Sequence, residues 1–144
     1  MNQIFPYANI ITGVLVLIVG FIFHWIAQLI SLLNWEFATQ IGIQEKRMIP
    51  EYRVYEKAIA VADVLIGWIY AFAGIELILG TAWGFKLAWF PGVTLVYHSL
   101  SVWFWTKNQR KAGHRLMPDS ARIIWFLANF ITGLLAILIA WHGA

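Results

Sequence analysis

The chain has 144 residues, of which 61% are hydrophobic and only 12% charged. A soluble domain of that length runs nearer a quarter charged, so almost nothing is left for an aqueous domain, and a single membrane domain over 1–144 is expected. The net charge of +3 does not indicate nucleic acid, because the cations flank apolar runs. The lack of cysteine excludes disulfides, thiolate metal sites and cysteine-based redox or nucleophilic chemistry.

The first apolar run, about 8–33, follows Pro6, a residue tolerated at a helix start because its missing N–H would be unpaired there anyway. Residues 1–9 hold no Lys or Arg, and the run is too long for the apolar part of a signal peptide, so it is expected to be a retained helix. Segment 34–57 carries Glu36, Glu45, Lys46, Arg47, Glu51, Arg53, Glu56 and Lys57 and is interrupted by Pro50. It is expected as an interfacial hairpin or short surface helix, with Trp35, Tyr52 and Tyr55 at headgroup depth.

The second run, about 58–79, leads through a tight Gly80-Thr81-Ala82-Trp83-Gly84 connection into the third, about 85–105. Phe90-Pro91-Gly92 predicts a kink or a late start in that third helix. Glu76 falls away from the polar face of helix two and is expected to pair locally with Lys86 or to sit at the interface. A second loop, about 106–120, contains Lys107, Arg110, Lys111, His114 and Arg115, and Pro118-Asp119-Ser120 supplies an N-cap for the fourth run, about 121–141. At about 1.5 Å per residue each run can cross a hydrocarbon core of about 30 Å.

The expected fold is therefore an all-α integral membrane protein, four transmembrane helices in an up-down antiparallel bundle. All Lys and Arg but Lys86 lie in or beside the two loops that follow runs one and three. Those loops are expected to be cytoplasmic, with both termini on the non-cytoplasmic side of a plasma (inner) membrane. The match of Asn9-Ile-Ile-Thr12-Gly13 with Asn129-Phe-Ile-Thr132-Gly133 is short enough to arise by chance in apolar sequence.

Each helix carries a small or polar stripe at helical spacing: Gly13, Gly20, His24, Ala27 and Ser31; Asp63, Gly67, Tyr70 and Gly74; Thr94, His98, Ser101 and Trp105; Trp125, Asn129, Thr132 and Ala136. Steps of three and four put each set on one face, and such faces avoid lipid by turning inward. Counted from the loop ends, His24, Asp63, His98 and Asn129 fall roughly 9–14 Å deep, in one layer. Polar groups at that depth mark binding sites or ion paths unless they only hold helices together. His24, Asp63, His98, Asn129, Tyr70 and Ser101 form the candidate ligand or proton site. Asp63 and His98 are its expected closest pair, with His24 on the facing helix.

Two imidazoles at matching depth also raise bis-histidine haem at His24 and His98, although no motif accompanies them. No paired-carboxylate or His-x-x-x-His metal motif is present. Lys107, Arg110, Lys111 and Arg115 could meet anionic lipid headgroups, or could simply set topology. The expected partners are the lipid bilayer and a homo-oligomer or larger membrane complex, which would shield Glu76. The leading functional expectation is binding or translocation of a small molecule or proton at the polar layer. Asp63 would be the proton or cation site, with His24 and His98 as relay partners. A non-catalytic accessory subunit is the rival, and a lipid- or quinone-directed enzyme comes behind both.

Overall fold

The computed structural model describes residues 4–46, 49–114 and 118–143. Among these every regular element is a helix: α1 Ala8–Leu33, α2 Trp35–Gln40, α3 Pro50–Ile66, α4 Ile69–Leu79, α5 Ala82–Leu87, α6 Trp89–Lys111 and α7 Asp119–Gly143. Two of them, α1 and α7, are long and apolar enough to cross a membrane. So are α3 and α4 together, which meet at a 43° bend, if they form one broken span. Ile18, Ile22, Phe72, Ile75, Val93, Ile131 and Leu134 are exposed large apolar side chains on four of these helices. An apolar girdle of that kind suits lipid and not water.

The helices meet in two close pairs. Helix α1 runs alongside α3 and α4 in reversed order: Asn9 reaches Leu77, Gly13 meets Gly74, Gly20 meets Tyr70, and Trp25 meets Val64. Helices α6 and α7 do the same, with Gly92 against Gly133 and Trp103 beside Phe126. A Cβ on Gly13 would come within 2.6 Å of the Gly74 carbonyl oxygen, and one on Gly133 within 2.9 Å of the Gly92 carbonyl oxygen. Both crossings are therefore backbone-to-backbone contacts that only glycine permits. Two cores close the space between the pairs. One groups Ala8, Leu77, Phe85, Ala88, Ile139 and Ala140 at the end holding the N terminus; the other groups Val16, Val19, Tyr70, Ala73, Leu95 and Ala136 at mid-depth.

Several element boundaries differ from the sequence expectation. The second helix starts at Pro50, not near residue 58, because Pro50 occupies a first-turn position where it needs no N–H. That helix also breaks at Gly67-Trp68. The third run is divided at Ala88 into α5 and α6. Pro91 cannot bond the carbonyl three to four residues upstream, which places the break where it lies. Helix α6 continues to Lys111, into what was expected as loop. The connection at Gly80 is a Schellman turn: Gly80 has φ 68°, its N–H reaches the Leu77 carbonyl, and Thr81 N–H reaches the Glu76 carbonyl. Glu76 accepts a short hydrogen bond from the Thr81 hydroxyl, not an ion pair from Lys86, whose ammonium lies over the Trp83 ring.

Helix α1 is α-helical at both ends but π-helical over Val16–Ile26. Such long π stretches are rare, since the form usually appears as a single-turn bulge. The buried line of α1 continues through this stretch, from Gly20 to His24, Gln28 and Ser31, with Gln28 and not Ala27 buried below His24.

Candidate functional site

The centre of the site is a pair of imidazoles. His24 is 4% exposed, and its Nε2 lies 2.5 Å from Asn129 Oδ1. The Asn129 amide nitrogen donates to the Trp125 carbonyl at 2.7 Å, one turn back in α7. That bond orients the amide so that its oxygen faces His24, which makes Nε2 the donor and leaves Nδ1 as the acceptor of the neutral ring. The His98 ring meets His24 edge-on, with ring centres 4.2 Å apart, and Trp125 stacks on His24 at 5.1 Å. Three of the four expected members of the polar layer, from α1, α6 and α7, are thus brought together.

Asp63 is not the partner of His98. Helix α3 packs on the C-terminal part of α1, so the carboxylate meets Gln28 of α1. Its Oδ2 is buried without a hydrogen-bond partner. Tyr70 is buried and donates to Thr94 Oγ1 at 3.0 Å, and Thr94 in turn donates to the Phe90 carbonyl. The Tyr70 ring centre is 6.2 Å from that of His24. Ser101 is only half-buried. The fully buried hydroxyl of α6 is Ser99, two residues earlier, which donates to the Val96 carbonyl.

A cavity of about 370 Å³ opens beside the imidazoles, toward the end of the helices that bears the basic loops. His24 and His98 lie at its inner end, and Gln28, Glu45, Tyr52 and Glu56 line its walls. Most of these wall residues were not expected at the site. Residues 41–45 fold back over the end of α1: Gln44 is buried and its amide nitrogen donates to Ser31 Oγ at 3.1 Å. This return brings Glu45 alongside Glu56, whose carboxylate accepts a short hydrogen bond from the Tyr52 hydroxyl. Tyr52 stacks on Trp105 with ring centres 3.6 Å apart, joining α3 to α6. Burial, reinforced by the Glu56 charge, pushes the Glu45 carboxyl up to about 7. Gln28 could have been found in sequence as the residue one turn after His24; for the loop residues no periodic signal existed.

The arrangement does not fit bis-histidine haem. Imidazoles binding one iron from opposite faces stand with ring centres roughly 6 Å apart, given metal–nitrogen bonds of about 2 Å. Here the rings touch edge to face, which leaves no place for a macrocycle between them. Among the described residues no group of three or more His, Cys, Asp or Glu side chains is arranged to hold a metal ion.

Of the basic residues expected at lipid headgroups, Lys107 and Lys111 are exposed. Arg110 forms an ion pair with Asp119 across the loop, and Arg122 joins the same carboxylate at 3.5 Å. Arg115 lies outside the described residues. No family model, curated protein sequence or solved structure matches this chain.

Proposed function

We propose that the chain is a four-helix, up-down membrane protein that binds or translocates a small molecule or a proton at the layer of His24, His98 and Asn129. The four spans would be α1, the bent α3–α4 pair, α5–α6 and α7. By the asymmetry of Lys and Arg, the basic loops would face the cytoplasm of a plasma membrane and both termini the other side. Cytoplasmic activity of a reporter fused to the C terminus would overturn that topology.

One observation carries the functional reading: a cavity of small-molecule size reaches the two imidazoles. A ligand or proton site needs such access, whereas a subunit that uses the same residues only to lock helices together does not. Asp63 would take part through Gln28, one step removed from the imidazoles. The rival, an accessory subunit of a larger membrane complex or homo-oligomer, draws support from the hydrogen bonds that tie α1 to α7 and α4 to α6.

The chain contains no cysteine, so single cysteines report on access directly. Ala27→Cys and Val102→Cys, both on the cavity wall, should react with a small water-soluble methanethiosulfonate in the folded protein. Leu95→Cys, fully buried in the mid-depth core, should not. If all three are equally inert, the ligand-site reading fails and the accessory subunit replaces it.

A further inference from the structure

The cavity walls have a charge opposite to their surroundings. The two loops at this end are rich in Lys and Arg, yet among the described residues no Lys or Arg lines the cavity, while Glu45 and Glu56 do. A second observation is independent of those carboxylates. Gln28 is more than nine-tenths buried on the cavity wall, and its Oε1 has no hydrogen-bond partner. Toward the Asp63 carboxylate the Gln28 amide can offer only its nitrogen as a donor, so the oxygen is the end left over. Glu45 Oε2 is likewise buried and unpartnered. A buried acceptor without a donor costs about 1–3 kcal/mol, so two of them on one wall call for a ligand that brings N–H groups. Phe23, Tyr52 and Trp125 complete the lining with aromatic surface, which favours a positive charge. Lacking three metal-type donors in one place, the described residues favour an organic cation over a metal ion.

We infer that the cavity binds a small protonated amine, its ammonium between Gln28 Oε1 and Glu45 and its apolar body against Phe23 and Trp125. This rests on the ligand-site reading above and adds the chemical class of the ligand. The volume, near the lower end for ligand pockets, limits the body to about one ring or a short chain. Tyr52 and Glu56 already bond to each other, so Glu56 supplies its charge to the ligand at one remove.

The test uses the Val102→Cys and Ala27→Cys proteins. Each is labelled with 2-aminoethyl methanethiosulfonate and with its 2-sulfonatoethyl counterpart, and both rates are divided by those on a free thiol. The surrounding basic loops attract anions, so a cation preference can come only from the walls. The cationic reagent should react at least tenfold faster after this correction, and Glu45→Gln should remove most of the preference. Phenethylammonium should slow labelling, while phenylacetate should not. Equal labelling by both reagents, or protection by phenylacetate, leaves the cavity accessible and overturns the amine assignment alone. Inertness to both reagents overturns the ligand-site reading with it. A preference that persists in Glu45→Gln and in Gln28→Leu also refutes the assignment, since these two side chains carry it.

Discussion

His24 Nε2 and Asn129 Oδ1 lie 2.5 Å apart across α1 and α7, two helices separated by most of the chain. The bond is buried, with Asn129 fully enclosed and His24 open only to the cavity. Its partners are themselves fixed: Asn129 by the Trp125 carbonyl, His24 by the rings of His98 and Trp125. A double-mutant cycle over His24→Ala and Asn129→Ala, read by denaturation in micelles, should therefore show coupling of about 0.5–1.5 kcal/mol, the range found for interhelical polar pairs. Strict additivity would mean that the two side chains do not support each other.

The crossing of α6 and α7 at Gly92 and Gly133 leaves no space for a side chain. A Cβ at Gly133 would stand 2.8–2.9 Å from Val96 Cγ2 and from the backbone of Gly92 and Val96. Backbone cannot yield as a side-chain end can, so Gly133→Val should push the helices apart and abolish the folded state. Leu134→Ala, one residue on but exposed, should change stability by less than about 1 kcal/mol. The readout is the fraction of monodisperse protein recovered in mild detergent. Equal recovery of the two variants would refute the tight crossing.

The all-helical build and the apolar candidate spans were legible in the sequence, because long hydrophobic runs and small-residue stripes follow helix periodicity. Depth counting brought His24, His98 and Asn129 into one layer, since depth depends only on rise per residue. The same counting misplaced the partner of Asp63, because depth says nothing about which neighbour a helix leans on. Helix α3 leans on α1, and Gln28 intervenes. The cavity wall was hidden for a different reason. Glu45 and Gln44 reach it by a loop that folds back onto Ser31, a tertiary event with no periodic signature. The π-helical stretch of α1 is equally silent in sequence.

Glu45 gives the unliganded protein a pH dependence of defined sign. Burial, then the nearby Glu56, raises its carboxyl from an ordinary 4.5 to about 7. The folded state thus holds a proton that the unfolded chain releases. The stability this contributes is fully present below about pH 4.5 and is lost as pH rises through about 7. The groups around it are Glu56 and Tyr52 from α3, His24 from α1 and His98 from α6, while α7 contributes only Ala121 and Trp125, and Lys46 follows in the chain. The comparison with Glu45→Gln isolates the contribution of this carboxyl. Thermal unfolding from pH 5 to pH 8 should lower the midpoint of the parent more than that of the variant. Parallel curves would assign the pH dependence elsewhere.

The bend between α3 and α4 strips carbonyls of their helical partners. Two indoles replace them: Trp25 Nε1 donates to the Val64 carbonyl and Trp68 Nε1 to the Leu65 carbonyl, each at 3.0 Å. The two are not equivalent. Trp25 comes from α1 and is packed on Phe21 and against Gly67, where a Cβ would stand 2.8 Å from the indole. Trp68 bonds within its own chain segment and is exposed. Trp25→Phe keeps most of the apolar contact but leaves the Val64 carbonyl without a donor, at a cost of about 1–3 kcal/mol. Trp68→Phe should cost less than about 1 kcal/mol, because its indole bonds only within its own segment and ties no second helix to the bend. Denaturation of the two variants in the same micelles gives the ranking. If Trp68→Phe is the more damaging, the bend is held from within the broken helix and not by α1.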